Sequence, residues 1–142
     1  MWWVDALPWL AGEGAGGFED WYLVGDWPAL GGLSAHAVSG PPGRAHDAVA
    51  KLAGTGAGAL YGLRRGDPES VAQPCATWLS KPAGMPYAEF DERMAALLDA
   101  PGASLWQRQL VLGPTPEFCL ISPTPLELPV PAELVSARRR LR

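Results

Sequence analysis

Residues 105–120 read LWQRQLVLGPTPEFCL, a run that opens like a strand. A half-buried strand alternates apolar and polar residues, which keeps one face dry and one wet. Here Gln107, Arg108 and Gln109 are consecutive, so both faces carry a polar group between Trp106 and Leu110. A polar centre in an otherwise apolar strand is expected where one face lines a cavity. Beyond it the texture changes, because GPTPEFCLISPTPLELPVP (113–131) holds six prolines. Proline donates no backbone hydrogen bond, so this stretch is expected to run extended over the surface with few ladder bonds. The final PAELVSARRRLR (131–142) reads as a short terminal helix, with proline near its start and arginines at its negative end.

Upstream of the quoted run, MPYAEFDERMAALLDAPG (85–102) has the pattern of an amphipathic helix. Glu89, Asp91 and Glu92 complement its positive end, and Tyr87, Phe90, Met94, Leu97 and Leu98 recur on one face. CATWLSKP (75–82) and GALYGLRR (58–65) read as strands separated by the turn-rich GDPES. FEDWYLVGDW (18–27) alternates and is rich in aromatic and branched residues, which favours another strand. Asp26 before Trp27-Pro28 is a helix start, and the helical pattern runs to about residue 54 with an interruption at SGPPG (39–43).

The order is therefore strand, helix, strand, strand, helix, strand over residues 18–112. That is the βαββαβ order of the ferredoxin-like α+β fold, in which two helices cover one face of a four-stranded antiparallel sheet. Trp21, Tyr61, Trp78 and Trp106 fall one to each strand, and with the aliphatic positions facing the helices they look out from the open face. A bare aromatic face does not persist in water without association. On the element order and this aromatic set, the chain resembles the dimeric α+β barrel superfamily. The resemblance implies a homodimer whose two sheets enclose a cavity, with a single domain spanning 1–142. Residues 113–142 would form an extension ending in the short basic helix.

Composition narrows the class further. The chain has 142 residues, 48% of them hydrophobic and 18% charged, which is globular and not disordered. Net charge is −4, and the four arginines of 137–142 leave the preceding residues at −8. An acidic body does not offer the clustered basic surface that nucleic acid needs. No stretch approaches the roughly 20 apolar residues of a membrane span. MWWVDALPWL at the start lacks a basic region and contains Asp5, so a reduced, cytoplasmic setting is expected. Cys75 and Cys119 form neither a disulfide framework nor a CxxC motif and read as small buried hydrophobes.

Candidate chemistry comes from these placements. Trp21, Tyr61, Trp78 and Trp106 would wall a ligand cavity, with Arg108 as its polar anchor, because a guanidinium stacks on aromatics and binds oxygens bidentately. The structural alternative pairs Arg108 with Glu19 or Glu117. His46 in GRAHDAV titrates near neutrality and is a candidate proton carrier, as is Glu117 in the rigid turn GPTPEFC. His36 and His46 lie in no HxxxH or HExxH pattern, so no metal is expected. The glycines of GTGAGALYG (54–62) precede a strand and not a helix, so they do not form a phosphate cradle, and no cofactor is required. These readings point to a small-molecule-binding protein or cofactor-independent enzyme acting on an apolar or aromatic ligand. One alternative is a dimerisation module whose aromatic face is only an interface, and another is a haem-binding protein.

Overall fold

The computed structural model describes residues 1–7, 9, 16–53, 56–111 and 114–141, without the side chains of residues 42, 45, 46, 49, 50, 53, 111, 134 and 136. Seven strands form one antiparallel sheet: β1 (Trp2–Val4), β2 (Gly17–Glu19), β3 (Ala59–Gly66), β4 (Cys75–Leu79), β5 (Ser104–Val111), β6 (Phe118–Ser122) and β7 (Leu134–Arg140). Their spatial order is β2-β1-β7-β4-β6-β5-β3. The helices are α1 (Trp27–Ala37), α2 (Gly40–Ala53) and α3 (Tyr87–Leu98), with a short 3-10 helix at Pro68–Ala72. Residues 1–21 and 57–142 make one compact unit, and residues 22–56, the α1–α2 hairpin, make another.

This architecture replaces the ferredoxin-like βαββαβ expectation, and with it the dimeric α+β barrel built on that fold. The sheet has seven strands instead of four, and α3 is the α-helix of its unit. Within residues 58–112 the strands and helix form, but β3 pairs with β5 and does not neighbour β4. Of the expected strand at 18–27, only Phe18 and Glu19 enter the ladder, as part of β2. The proline-rich stretch supplies β6, which lies between β4 and β5, and the expected terminal helix is β7, which lies between β1 and β4. Phe118–Ser122 is buried at every position, as is Cys75–Leu79 opposite it. A short apolar run bounded on both sides by proline is the sequence of a strand buried on both faces. The prolines at 114, 116, 123 and 125 flank FCLIS and never enter it.

Strict alternation then separates two cores. Leu79, Leu105, Phe118 and Leu120 face α3 and pack with its Phe90, Met94 and Leu98, and Val130 joins them. Phe90 and Phe118 stack with ring centroids 4.5 Å apart. The opposite side chains of the same strands, Ala76, Trp78, Trp106, Cys119 and Ile121, form the second core. The ladder registers Trp78 with Cys119 and Cys119 with Trp106, so a thiol fits between two indoles on adjacent strands.

In the hairpin, Asp26 caps α1 by accepting from the Ala29 N–H at 2.8 Å. Gly40 opens α2 with φ +61, a conformation that costs a residue with a Cβ. α1 buries none of its side chains, although its sequence is mostly apolar.

Gly66 closes β3 at φ +97, and a Cβ there would lie 2.7 Å from the Ser104 Cα. Left-handed strain and this backbone collision act together. Gly66→Ala is expected to lose about 1–3 kcal/mol of stability, read from urea unfolding. An unchanged midpoint would mean that the turn does not hold this geometry in solution.

Candidate functional site

The second core is the chemically distinctive part of the molecule. Trp21 lies after edge strand β2 and places its ring 5.5 Å from Trp106, 5.9 Å from Tyr61 and 6.4 Å from Trp78. Tyr61 and Trp78 meet edge to face at 5.9 Å, and Trp9 meets Trp78 at 5.1 Å. The structure thus brings Trp21, Tyr61, Trp78 and Trp106 into one cluster on the sheet face opposite α3. The face is not bare, because Trp78 and Trp106 are each only 5% exposed beneath rings of the same chain. These two indoles therefore need no second copy to shield them from water.

Hydrogen bonding differs among the three indoles that meet at Trp21. The Trp106 N–H donates to Ser104 Oγ at 2.6 Å, and the Trp21 N–H donates to Glu19 Oε1 at 2.6 Å. The Trp78 N–H is buried and has no acceptor among the described residues. A buried donor without a partner costs about 1–3 kcal/mol relative to a satisfied one. Buried indoles ordinarily find an acceptor.

Tyr61 donates to the Pro116 carbonyl at 2.6 Å. Burial pushes its phenol up to about 12, since the phenolate would be poorly solvated there. The folded state thus holds a proton that the unfolded chain releases near pH 10. Stability from this group is complete below pH 10 and falls as pH rises from 10 toward 12. Ultraviolet titration should show the Tyr61 phenol ionising near pH 12. A Tyr61 phenol that ionises near pH 10 would place its hydroxyl in water.

Arg108 shares this face, registered opposite Tyr61. It pairs with neither Glu19 nor Glu117. Its Nη1 donates to the Thr115 carbonyl and its backbone N–H donates to the Glu117 carbonyl at 2.8 Å, so it straps the β5–β6 turn. The three consecutive polar residues have separate tasks. Gln107 accepts from Arg64 Nη1 at 2.5 Å on the α3 side, Arg108 holds the turn, and Gln109 is exposed.

Glu117 is turned toward α3. It accepts from the Tyr87 hydroxyl at 2.6 Å and from the Lys81 N–H at 3.2 Å. Tyr87 lies between two cations, 5.6 Å from the Arg64 guanidinium and 5.1 Å from Lys81 Nζ. Its phenol is raised, first by the bond to Glu117. His46 belongs to α2, and its side chain lies outside the described residues, as do residues 54 and 55 of the glycine-rich stretch.

A buried ion pair borders the aromatic cluster, and sequence reasoning misses it. Arg138 Nη1 donates to Glu19 Oε1 at 2.6 Å, with side-chain exposures of 0% and 10%. Arg138 Nη2 donates to the carbonyls of Val71, at 3.1 Å, and Gln73, and the guanidinium lies 4.8 Å from the Trp2 ring centroid. Glu19 Oε2 and Arg138 Nε have no partner among the described residues. Burial raises the Cys119 thiol well above its ordinary value, and the nearby Glu19 carboxylate adds to this. Such a thiol is unreactive. In the sequence Arg138 is one of three consecutive arginines with the look of a solvated helix end; only β7 pairing distinguishes it.

No group of three or more metal-ligating side chains occurs among the described residues, and no described helix is long and apolar enough to cross a membrane. No protein-family model, curated protein or solved structure matches the chain.

Proposed function

We propose that this chain binds a small planar organic molecule in the aromatic cluster of Trp21, Tyr61, Trp78 and Trp106. The observation that carries the reading is the Trp78 N–H, buried among rings and without an acceptor among the described residues. Apolar walls with a few placed polar groups are the usual composition of a ligand site. Trp21 is the movable wall in this reading. It lies after a three-residue edge strand, is partly exposed, and is held by ring contacts and one bond to Glu19. Swinging it aside would admit a flat molecule against Trp78, and the ligand's acceptor would satisfy the indole donor. Arg108 contributes shape through the turn it straps and is not the anchor.

Equilibrium dialysis of the full chain against naphthalene and quinoline tests the reading. Saturable binding is expected, with quinoline tighter because its ring nitrogen accepts from Trp78. Trp21→Ala should weaken both by about tenfold through loss of one stacking wall, worth roughly 0.5–1.5 kcal/mol beyond area burial. Absence of saturable binding by either bicycle would sink the proposal.

A further inference from the structure

The aromatic cluster has a second polar edge. Glu19 Oε1 is fully engaged, accepting from both Trp21 Nε1 and Arg138 Nη1 at 2.6 Å, whereas Oε2 of the same carboxylate has no donor among the described residues. The side chain is nine-tenths buried, so water does not readily replace that donor. Trp21 links this edge to the rings, because the indole bonded to Glu19 is the one in contact with Tyr61, Trp78 and Trp106.

Two of the orphaned atoms, one at each edge of the rings, are of opposite type. Trp78 Nε1 can only donate, and an ionised Glu19 Oε2 can only accept. A ligand that satisfies both must present an acceptor and an N–H from one flat frame. A bare hydrocarbon leaves both unpaired, and sites built on such groups reject ligands that lack the matching atom. Resting on the binding function proposed above, we infer that the ligand is a nitrogen heteroaromatic carrying both a ring N–H and an acceptor, of the cyclic-amide class. Its N–H is taken by Glu19 Oε2 and its acceptor by Trp78 Nε1. The carboxylate is oriented by its contact with Arg138, which acts as a positioning residue and does not touch the ligand.

Four bicyclic probes of nearly equal size separate the contributions: naphthalene with neither group, indole with the donor, quinoline with the acceptor, and 2-quinolone with both. Equilibrium dialysis of the full-length wild-type chain should rank 2-quinolone tightest. Indole and quinoline should each bind about tenfold or more tighter than naphthalene, the worth of one hydrogen bond to a buried partner. Glu19→Gln presents an amide in place of the carboxylate and should erase the advantage of indole over naphthalene while sparing that of quinoline. Trp78→Phe should do the reverse. If all four bind with equal affinity in the wild type, the polar edges are not read and this inference falls, although the aromatic site stands. If none binds, the site itself is wrong and the inference goes with it. The wild-type ranking decides the matter even where a variant does not fold.

Discussion

Arg138→Ala is expected to lose about 3–5 kcal/mol of folding stability, because it leaves a buried carboxylate without its counter-charge. Arg138 is fully buried at its side chain and ties three separate segments together. Its guanidinium holds Glu19 of β2, the carbonyls of Val71 and Gln73 around the end of the 3-10 helix, and the ring of Trp2 in β1. Removing it strands Glu19 with one remaining donor, the Trp21 indole. The neighbouring Arg139 and Arg140 are exposed, and alanine at either should change stability by no more than about 0.5 kcal/mol. This contrast within one run of three arginines is what a strand produces and a solvated helix end does not. The double variant Glu19→Met with Arg138→Met should recover much of the loss, since well-packed apolar replacements of a buried pair are often neutral or stabilising. Urea unfolding midpoints read all four proteins. Equal small losses at 138, 139 and 140 would show that the ion pair does not form.

The same run shows why part of the fold is hidden in the sequence. Four of the seven strands, β1, β2, β6 and β7, lie wholly or partly outside residues 18–112, the span on which the βαββαβ order rests. β3, β4, α3 and β5 are legible because the strands are short runs with branched and aromatic residues bounded by glycine, proline or turn residues, and the helix keeps its 3.6-residue period. FCLIS is masked by its flanking prolines, which suggest an irregular path for residues they do not touch. VSARRR looks helical because a proline precedes it and its arginines would suit a helix C-terminus. Pairing with β1 and β4, both distant in sequence, puts one arginine inward and leaves its neighbours in water.

The aromatic site is easier to see than the sheet that holds it. Trp78 and Trp106 are both registered with Cys119 on the strand between theirs, which puts the two rings on one face. Trp21 reaches the cluster from just beyond β2 and is held there by its bond to Glu19 of that strand. The orphaned Trp78 N–H and the Glu19–Arg138 pair are not legible at all. Hydrogen-bond satisfaction is a property of three-dimensional neighbours, and Glu19 and Arg138 lie far apart in sequence.

Phe90→Ala tests the other face, with an expected cost of about 3–5 kcal/mol for a large ring removed from a packed core. Phe90 is 0% exposed and stacks on Phe118, itself 0% exposed and central in the sheet. Met94 and Leu98 continue the same stripe one and two turns on, and Leu79, Leu105 and Leu120 receive them. Surface bonds between α3 and the sheet cannot compensate. The Arg64–Asp91 pair, at 2.7 and 2.5 Å, and the Tyr87–Glu117 bond are exposed, and such pairs are each worth about 0–1 kcal/mol. Helix docking therefore rests on the apolar stripe. A conservative Phe90→Leu should retain most of the stability, because volume-conserving apolar exchanges usually cost less than about 1.5 kcal/mol. Amide exchange supplies the spatial check. Protection should fall first in 87–98 for Phe90→Ala, while the amides of Trp78 and Cys119 stay slow, because β4 and β6 remain paired with each other and packed on the aromatic side. A loss below about 1 kcal/mol, or uniform loss of protection across both faces, would mean that α3 is not held by this core.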